Sequence, residues 1–347
     1  MGGKRIIIGT VLLAFVCISS CAAKDHDLNS ETVSMTKDVF AMDTFMNMKA
    51  YGANAGKALD KAEERILQLE KELSVNDEQS DIWAIDHSFG DEVNVCDDTA
   101  VIINKAIEIG DCSGGALDIT LFPVLKEWGF TTGNYKVPDD DTIGELLSYV
   151  DYRKINLNGN IVSLPEKTEL DLGALAKGYT GDEIIKIMSE DGVSSAIVSL
   201  GGNVQALGTK PDGSDWKIAV RDPFSPEQDM CMIEVSDKAV ITSGNYERCF
   251  TADDGKVYWH ILDPSDGYPA DNGLVSVTVI GDSGIDCDAL STALFVAGYD
   301  KAVDFLRSEN RYELILVTDD KKLYYSEGLS ECFTDLSDMG AEVIDLD

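Results

Sequence analysis

An α+β fold with mostly antiparallel sheet is the class this sequence predicts, on three observations. Short β-rich stretches come in runs between helical ones and do not alternate strictly with them, which disfavours a doubly wound parallel sheet. The helical stretches place apolar residues three and four positions apart. Hydrophobic residues make up 44% of the chain, enough for a sizeable core, and no internal repeat is visible.

Residues 1–20 read as an export signal. Lys4 and Arg5 precede an almost wholly apolar run from Ile6 to Ile18, and small residues lead to Cys21. The run is shorter than the roughly 20 residues a comfortable membrane-spanning helix needs. Ile18-Ser19-Ser20-Cys21 has the ending of a bacterial lipoprotein cleavage site, so lipidation of Cys21 is expected. The alternative is an ordinary secretory signal containing a cysteine. The expected location is the cell membrane, lipid-anchored on its extracytoplasmic face. Polar residues as far as 32 suit a tether, and residues 33–347 are expected to form one domain.

Within that domain, Val33 to Tyr51 reads as strand broken at Met42-Asp43-Thr44. Lys57 to Leu73 carries Ala58, Ala62, Ile66, Leu69 and Leu73 on one helical face. Asp97 or Asp98 is expected to cap a helix running through Ile109, and Pro123 to Trp128 a short one. Lys154 to Leu164 reads as a hairpin turning at Asn158-Gly159-Asn160. A glycine-flanked segment from Gly173 to Gly178 leads into a helix to about Met188. Strands are expected at Ser195–Leu200, Trp216–Val220, Met230–Val235, Val257–Leu262 and Leu274–Ile280. Helices over Asp286–Ala297 and Lys301–Arg307 and strands at Leu314–Val317 and Lys322–Tyr325 complete the pattern, and the acidic tail after Ser326 carries no signal.

With 63 acidic against 28 basic residues the formal charge is −35. Such a chain repels phosphate backbones and anionic lipid surfaces at long range, which excludes nucleic acid as a partner. A polyanionic ligand would need a few placed lysines, helix N-termini or a metal ion. Beyond Cys17 and Cys21, the cysteines at 96, 112, 231, 249, 287 and 332 show no zinc spacing and read as buried small residues in preference to bridges. Walker A, G-x-G-x-x-G and H-E-x-x-H motifs are absent. Only His26, His87 and His260 exist, so histidine chemistry rests on His260 or, second, His87.

Four segments place polar groups where plain structure does not ask for them. Ser113-Gly114-Gly115-Ala116-Leu117-Asp118 lets backbone approach a ligand, although Asp118 would equally cap a helix near Pro123. Asp171-Leu172-Gly173-Ala174-Leu175-Ala176-Lys177-Gly178 offers helix-start N–H groups and Lys177 to a phosphate. His260 to Pro264 puts a histidine at the end of a strand, where a satisfied surface group is the plain alternative. Asp288 and Thr292 share a helical face and offer two oxygens to Mg²⁺ or Mn²⁺. For Asp288, a first-turn acid favoured by the helix dipole is the structural alternative.

In order and spacing, these segments resemble the ApbE family, the FAD-dependent transferases that attach FMN to other proteins through a phosphoester on threonine or serine. The resemblance runs from about Val39 to about Asp300. It also includes Met42-Asp43-Thr44, Leu200-Gly201-Gly202-Asn203 and Thr242-Ser243-Gly244-Asn245. It implies an ApbE-like α+β fold and FAD contacts from Met42, Ala116, Leu117, Asp118, Asp171 and Lys177. It further implies Mg²⁺ ligation by the Ala174 carbonyl with Asp288 and Thr292, and a catalytic pair of His260 beside the flavin or its phosphates and Asp288. Implied partners are membrane or surface flavin acceptors such as Rnf-type and Nqr-type subunits and FMN-binding domain proteins.

The sequence departs from the family pattern at two places. Asn76, after Val75, stands where many transferases carry a tyrosine packed on FAD, so looser FAD or more room for water is expected there. Asp43 replaces a frequent glycine. FAD pyrophosphatase activity giving FMN and AMP is the companion reading. A non-catalytic flavin-binding lipoprotein is the rival of another class, and the Asp288–Thr292 pair argues against it.

Overall fold

The computed structural model describes residues 33–346; the export signal, Cys21 and the tether lie outside them. The first half of the chain comprises β1 (Ser34–Ala41), β2 (Thr44–Tyr51), α1 (Ala55–Leu73), α2 (Asp81–Asp86), β3 (Val93–Asn94), α3 (Asp97–Cys112), α4 (Phe122–Trp128), α5 (Asp140–Leu147), β4 (Asn156–Asn158), β5 (Ile161–Ser163) and α6 (Ala176–Glu190). The second comprises β6 (Ala196–Leu200), β7 (Asn203–Leu207), β8 (Trp216–Asp222), β9 (Ser225–Val235), β10 (Ala239–Gly244), β11 (Cys249–Thr251), β12 (Val257–Trp259), β13 (Leu274–Gly281), α7 (Gly284–Ala297), α8 (Tyr299–Ser308), β14 (Glu313–Thr318), β15 (Leu323–Tyr325), β16 (Phe333–Asp335) and β17 (Ala341–Val343).

A nine-stranded sheet in the order β1-β2-β6-β7-β10-β13-β14-β15-β17 forms the spine, antiparallel except at the β15–β17 pair. Helices cover one face and the small sheet β16-β9-β8 covers part of the other. Covering both faces explains β13, which is buried along its whole length and lacks the alternation of a half-solvated strand. Val277 and Val279 turn toward α7 while Ile280 turns toward the small sheet. Each such fully buried aliphatic contributes about 1.5–3 kcal/mol.

The predicted α+β class and most elements stand, with several differences, among them the unexpected strands β3, β7, β10 and β11. The residue before α3 is Cys96, with no side-chain cap; Asp97 and Asp98 are first-turn acids instead. Asp98 is occupied by Arg65 and by the Tyr179 hydroxyl. Helices α2 and α5 were not expected, being too short to display a full apolar period. The strand expected over Val257–Leu262 stops at Trp259. The tail after Ser326 supplies β16 and β17, which pair with β9 and β15.

All six cysteines from Cys96 onward are unbridged, yet only Cys231 and Cys287 are buried, while Cys112 and Cys249 are exposed. No helix among the described residues is long and apolar enough to cross a membrane.

Candidate active site

Every site residue expected from the sequence within the described chain lines one cavity of about 600 Å³: Met42, Asn76, Ala116, Leu117, Asp118, Asp171, Ala174, Lys177, His260, Asp288 and Thr292. The β1–β2 turn supplies Met42 and Asp43, both with positive φ (50° and 56°), as a two-residue hairpin turn requires. The Met42 N–H donates to Glu70 on α1 at 2.8 Å, which fastens the turn over the cavity. Gly201 (φ +62°) lies beside it; a Cβ there would meet Thr44 Oγ1 at 2.2 Å, so only glycine fits the approach.

The centre of the site is a helix crossing. Gly178 of α6 and Gly284 of α7 meet so closely that a Cβ on Gly178 would lie 2.3 Å from the Gly284 carbonyl oxygen and 2.7 Å from Asp288 Cβ. That approach brings the Gly178 N–H within 2.8 Å of Asp288 Oδ2. Asp182 secures the crossing from α6 by accepting the first N–H groups of α7, Gly284 at 2.6 Å and Ile285 at 3.0 Å. Gly178→Ala is expected to cost about 1–3 kcal/mol through overpacking and to displace Asp288. A urea midpoint measured beside catalytic activity tests this; a variant unchanged in both would contradict it.

Asp288 is 4% exposed. Burial pushes its carboxyl above the usual range, opposed by nearby Lys177 and the Gly178 N–H. Thr292, one turn on, shares a hydroxyl contact with Ser243 of β10 at 3.1 Å, and Ser243 also meets Ser291 at 2.8 Å. Six carboxylates line the cavity (Asp43, Glu70, Asp118, Asp171, Glu247 and Asp288) against two permanent cations, Lys177 and Arg248.

A buried carboxylate, a hydroxyl and a carbonyl are hard oxygen donors of the kind Mg²⁺ or Mn²⁺ accepts. A cavity so short of cations has reason to take one up before it admits an anionic ligand. The donor set therefore fits a divalent ion.

Two roles expected from sequence change in the fold. The N–H groups at the start of α6 are largely spent: Leu175 and Ala176 donate to Leu172 and Gly178 donates to Asp288. They do not form a phosphate cradle, which leaves Lys177 and Arg248 as the cavity's cationic side chains. Asp118 does not cap α4, whose preceding residue is Leu121. It accepts from Thr120 N (2.8 Å), Thr120 Oγ1 (2.5 Å) and Tyr152 N (3.0 Å), so it shapes the loop that lines the cavity.

The loop opposite is held by Asp86, which accepts the Leu170 N–H at 2.8 Å, and Asp171 folds back onto the Gly173 N–H at 2.6 Å. Burial pushes Asp86 up to about 8.

His260 follows β12 directly, and its N–H donates to the Arg248 carbonyl at 3.0 Å, extending the β11–β12 ladder. The root of that hairpin thus presents Arg248 and His260 to the cavity together. Burial, then Arg248 and Lys177, lower the imidazole to about 4. Its buried Nδ1 has no partner. His87, the second histidine considered, is exposed and stacked on Trp83, outside the cavity.

Sequence reasoning missed Glu247, Arg248 and Phe130 as cavity residues. For Arg248 a faint signal existed, since a cation is scarce in a chain this acidic.

With this geometry in place, comparison with known proteins is decisive: the ApbE family model matches residues 42–316, most of the chain. The chain belongs to the ApbE family. Its members similar to this chain include a Treponema pallidum protein, 30% identical over 342 residues that cover 92% of this chain and 93% of the relative. A Klebsiella pneumoniae protein is 34% identical over 290 residues, covering 81% and 89%. Both are named FAD:protein FMN transferase. The solved ApbE protein of Thermotoga maritima superposes with a TM-score of 0.81 at 32% identity, covering 86% of this chain and 99% of its own. The flavinyl transferase ApbE of Pseudomonas stutzeri gives 0.78 at 27% identity, covering 88% and 98%.

Proposed function

We propose that this ApbE-family chain is an FAD:protein FMN transferase that works with a bound divalent ion, Mg²⁺ or Mn²⁺. The observation that carries the reading is the convergence of residues from well-separated segments on one cavity around the buried carboxylate of Asp288.

In the reaction, a threonine or serine hydroxyl of the acceptor attacks the FMN-side phosphorus of FAD. A phosphoester bond forms, the bond to the AMP phosphate oxygen breaks, and the hydroxyl proton passes to a base. His260, neutral and lining the cavity, is the base in this proposal. Lys177 and Arg248 attract the pyrophosphate, while Asp288, Thr292 and the Ala174 carbonyl would hold the metal. When bound, that ion supplies charge neutralisation for the pyrophosphate and the departing AMP.

Water in place of the acceptor hydroxyl gives free FMN and AMP, and Asn76 favours this second reading. Exposed at the cavity wall, it offers no ring to seal the flavin from solvent. Asn76→Tyr is expected to tighten FAD by about ten- to a hundred-fold, from a stacking gain of about 1–3 kcal/mol, and to slow release of free FMN. Fluorescence titration checks the first effect and chromatography the second; unchanged affinity would remove Asn76 from the account.

Export and lipidation at Cys21 place the enzyme at the extracytoplasmic face of the cell membrane in this proposal. Its acceptors there are membrane or surface flavoproteins such as Rnf-type or Nqr-type subunits or FMN-binding domain proteins. The test is incubation of the protein with FAD and Mg²⁺, with and without a purified acceptor domain, while AMP, free FMN and acceptor mass are followed. AMP release that stops with chelator, together with acceptor mass gained as FMN, is the expected result. Absence of AMP in every condition would leave only a flavin binder.

A further inference from the structure

The β1–β2 hairpin holds two large aromatic side chains in solvent. Phe40 is 70% exposed and Phe45 61%. They are direct cross-strand partners, so their rings share the outer face of the sheet. They flank the Met42–Asp43 turn that lines the cavity, and the Phe45 carbonyl accepts the N–H of Gly201, another cavity-lining residue.

Along β1 the other residues of this outer face, Ser34, Thr36 and Asp38, are exposed but polar, and toward the middle of the sheet the face is covered. The small sheet packs over β10, β13 and β14, and at the far end of β2 Tyr51 meets Trp216 of β8 at 6.2 Å between rings. The cover does not reach the Phe40–Phe45 end. On the inner face the turn end of the same strands is packed, with Ala41, Met46 and Met48 at 0% exposure. Hairpin stability therefore does not require these phenylalanines on the outside, and each leaves apolar surface in water.

We infer that the Phe40–Phe45 pair is the docking surface for the protein acceptor, gripping the polypeptide beside its acceptor threonine or serine as the hydroxyl enters the cavity. The inference rests on the transfer reading. That reaction requires a second protein at the cavity mouth, and the pair flanks the Met42–Asp43 turn that lines the cavity. Aromatic anchors are the side chains that carry binding energy at such interfaces.

Charge narrows the partner's chemistry. Asp43 is exposed at the turn next to the two rings, Glu70 lies behind the turn, and the whole chain is at −35. The fitting acceptor segment is apolar at the contact and basic around it. A lipid surface fits less well. The chain from the anchoring region enters β1 at Ser34, and Phe40 lies roughly 20 Å further along the strand at about 3.3 Å per residue.

The experiment compares the full chain with the Phe40→Ser/Phe45→Ser variant. Its two probes are a folded FMN-binding domain of an Nqr-type subunit and FAD with water as the only acceptor. The expected result is at least a ten-fold fall in kcat/KM for flavinylation of the domain, carried by KM, with AMP release without acceptor and the Kd for FAD within two-fold of wild type. Flavinylation unchanged in the variant overturns the inference, and so does an equal loss of FAD affinity, which would mark the pair as structural. Unchanged flavinylation with lost vesicle binding or lost self-association would assign the patch to a membrane or a second copy, also against it. A wild-type chain that cleaves FAD yet modifies no acceptor would overturn the transfer reading itself.

Discussion

Asp288→Asn is expected to leave the protein folded and to reduce FAD cleavage by roughly a thousand-fold or more. The magnitude follows from several kcal/mol of transition-state charge stabilisation that a metal ion supplies when its anionic ligand is in place. The fold is expected to survive because an amide oxygen can still accept the Gly178 N–H. Stability is expected to hold or rise: burial already penalises the Asp288 carboxylate, and the neutral amide removes that cost. Thermal unfolding and AMP release, measured on the same preparation with and without Mn²⁺, check both halves. A variant that keeps its activity would show that the metal is held elsewhere.

His260→Asn is expected to slow both transfer and hydrolysis by about 10²–10⁴-fold, the usual contribution of a positioned proton acceptor, with FAD binding changed little. The pH dependence carries a sign that distinguishes this role. In the ligand-free protein His260 is lowered to about 4, first by burial and then by Arg248 and Lys177. It is therefore neutral through the ordinary pH range, and the acid limb of kcat/KM, which reports the free enzyme, is expected well below 6.5. In the FAD complex the bound pyrophosphate offsets the two cations, so the limb seen in kcat is expected at higher pH.

The same depression acts on stability. Between 6.5 and about 4 the unfolded chain binds a proton at this position that the native state refuses. Stability from this group is thus full above 6.5 and lost as pH falls toward 4, and His260→Asn should flatten that slope. Imidazole resonances are tractable because the chain has only three histidines. An ordinary titration of His260 near 6.5 would sink this account.

Much of the site was legible before any coordinates because its residues sit in short segments whose local chemistry is unusual. Ser113 to Asp118 is too small for ordinary packing, Asp171 to Gly178 mixes a carboxylate, glycines and a lysine at a helix start, and Asp288–Thr292 aligns two oxygens on one helical face. Such signals are local and survive in one dimension. The roles read from them fared less well wherever they depended on a distant partner. The α6 N–H groups were expected to meet phosphate, but Leu172 and Asp288 take three of them. Asp118 was a candidate cap, yet its second oxygen goes to Tyr152.

By itself, then, the sequence determined the order of most elements, the amphipathic face of α1, the α+β class and the residue types gathered for the site, since helical period, strand period and turn preference act over a few residues. Only the tertiary structure decided that α6 and α7 cross glycine to glycine at Gly178 and Gly284, which puts a backbone N–H on Asp288. It alone set Arg248 beside His260 at a hairpin root, drew the patternless tail into two sheets, and left Phe40 and Phe45 in solvent flanking the turn that lines the cavity. These are contacts between residues far apart in the chain, fixed by how closely two backbones can approach and by which face a second layer happens to cover, and neither quantity is written in a local pattern.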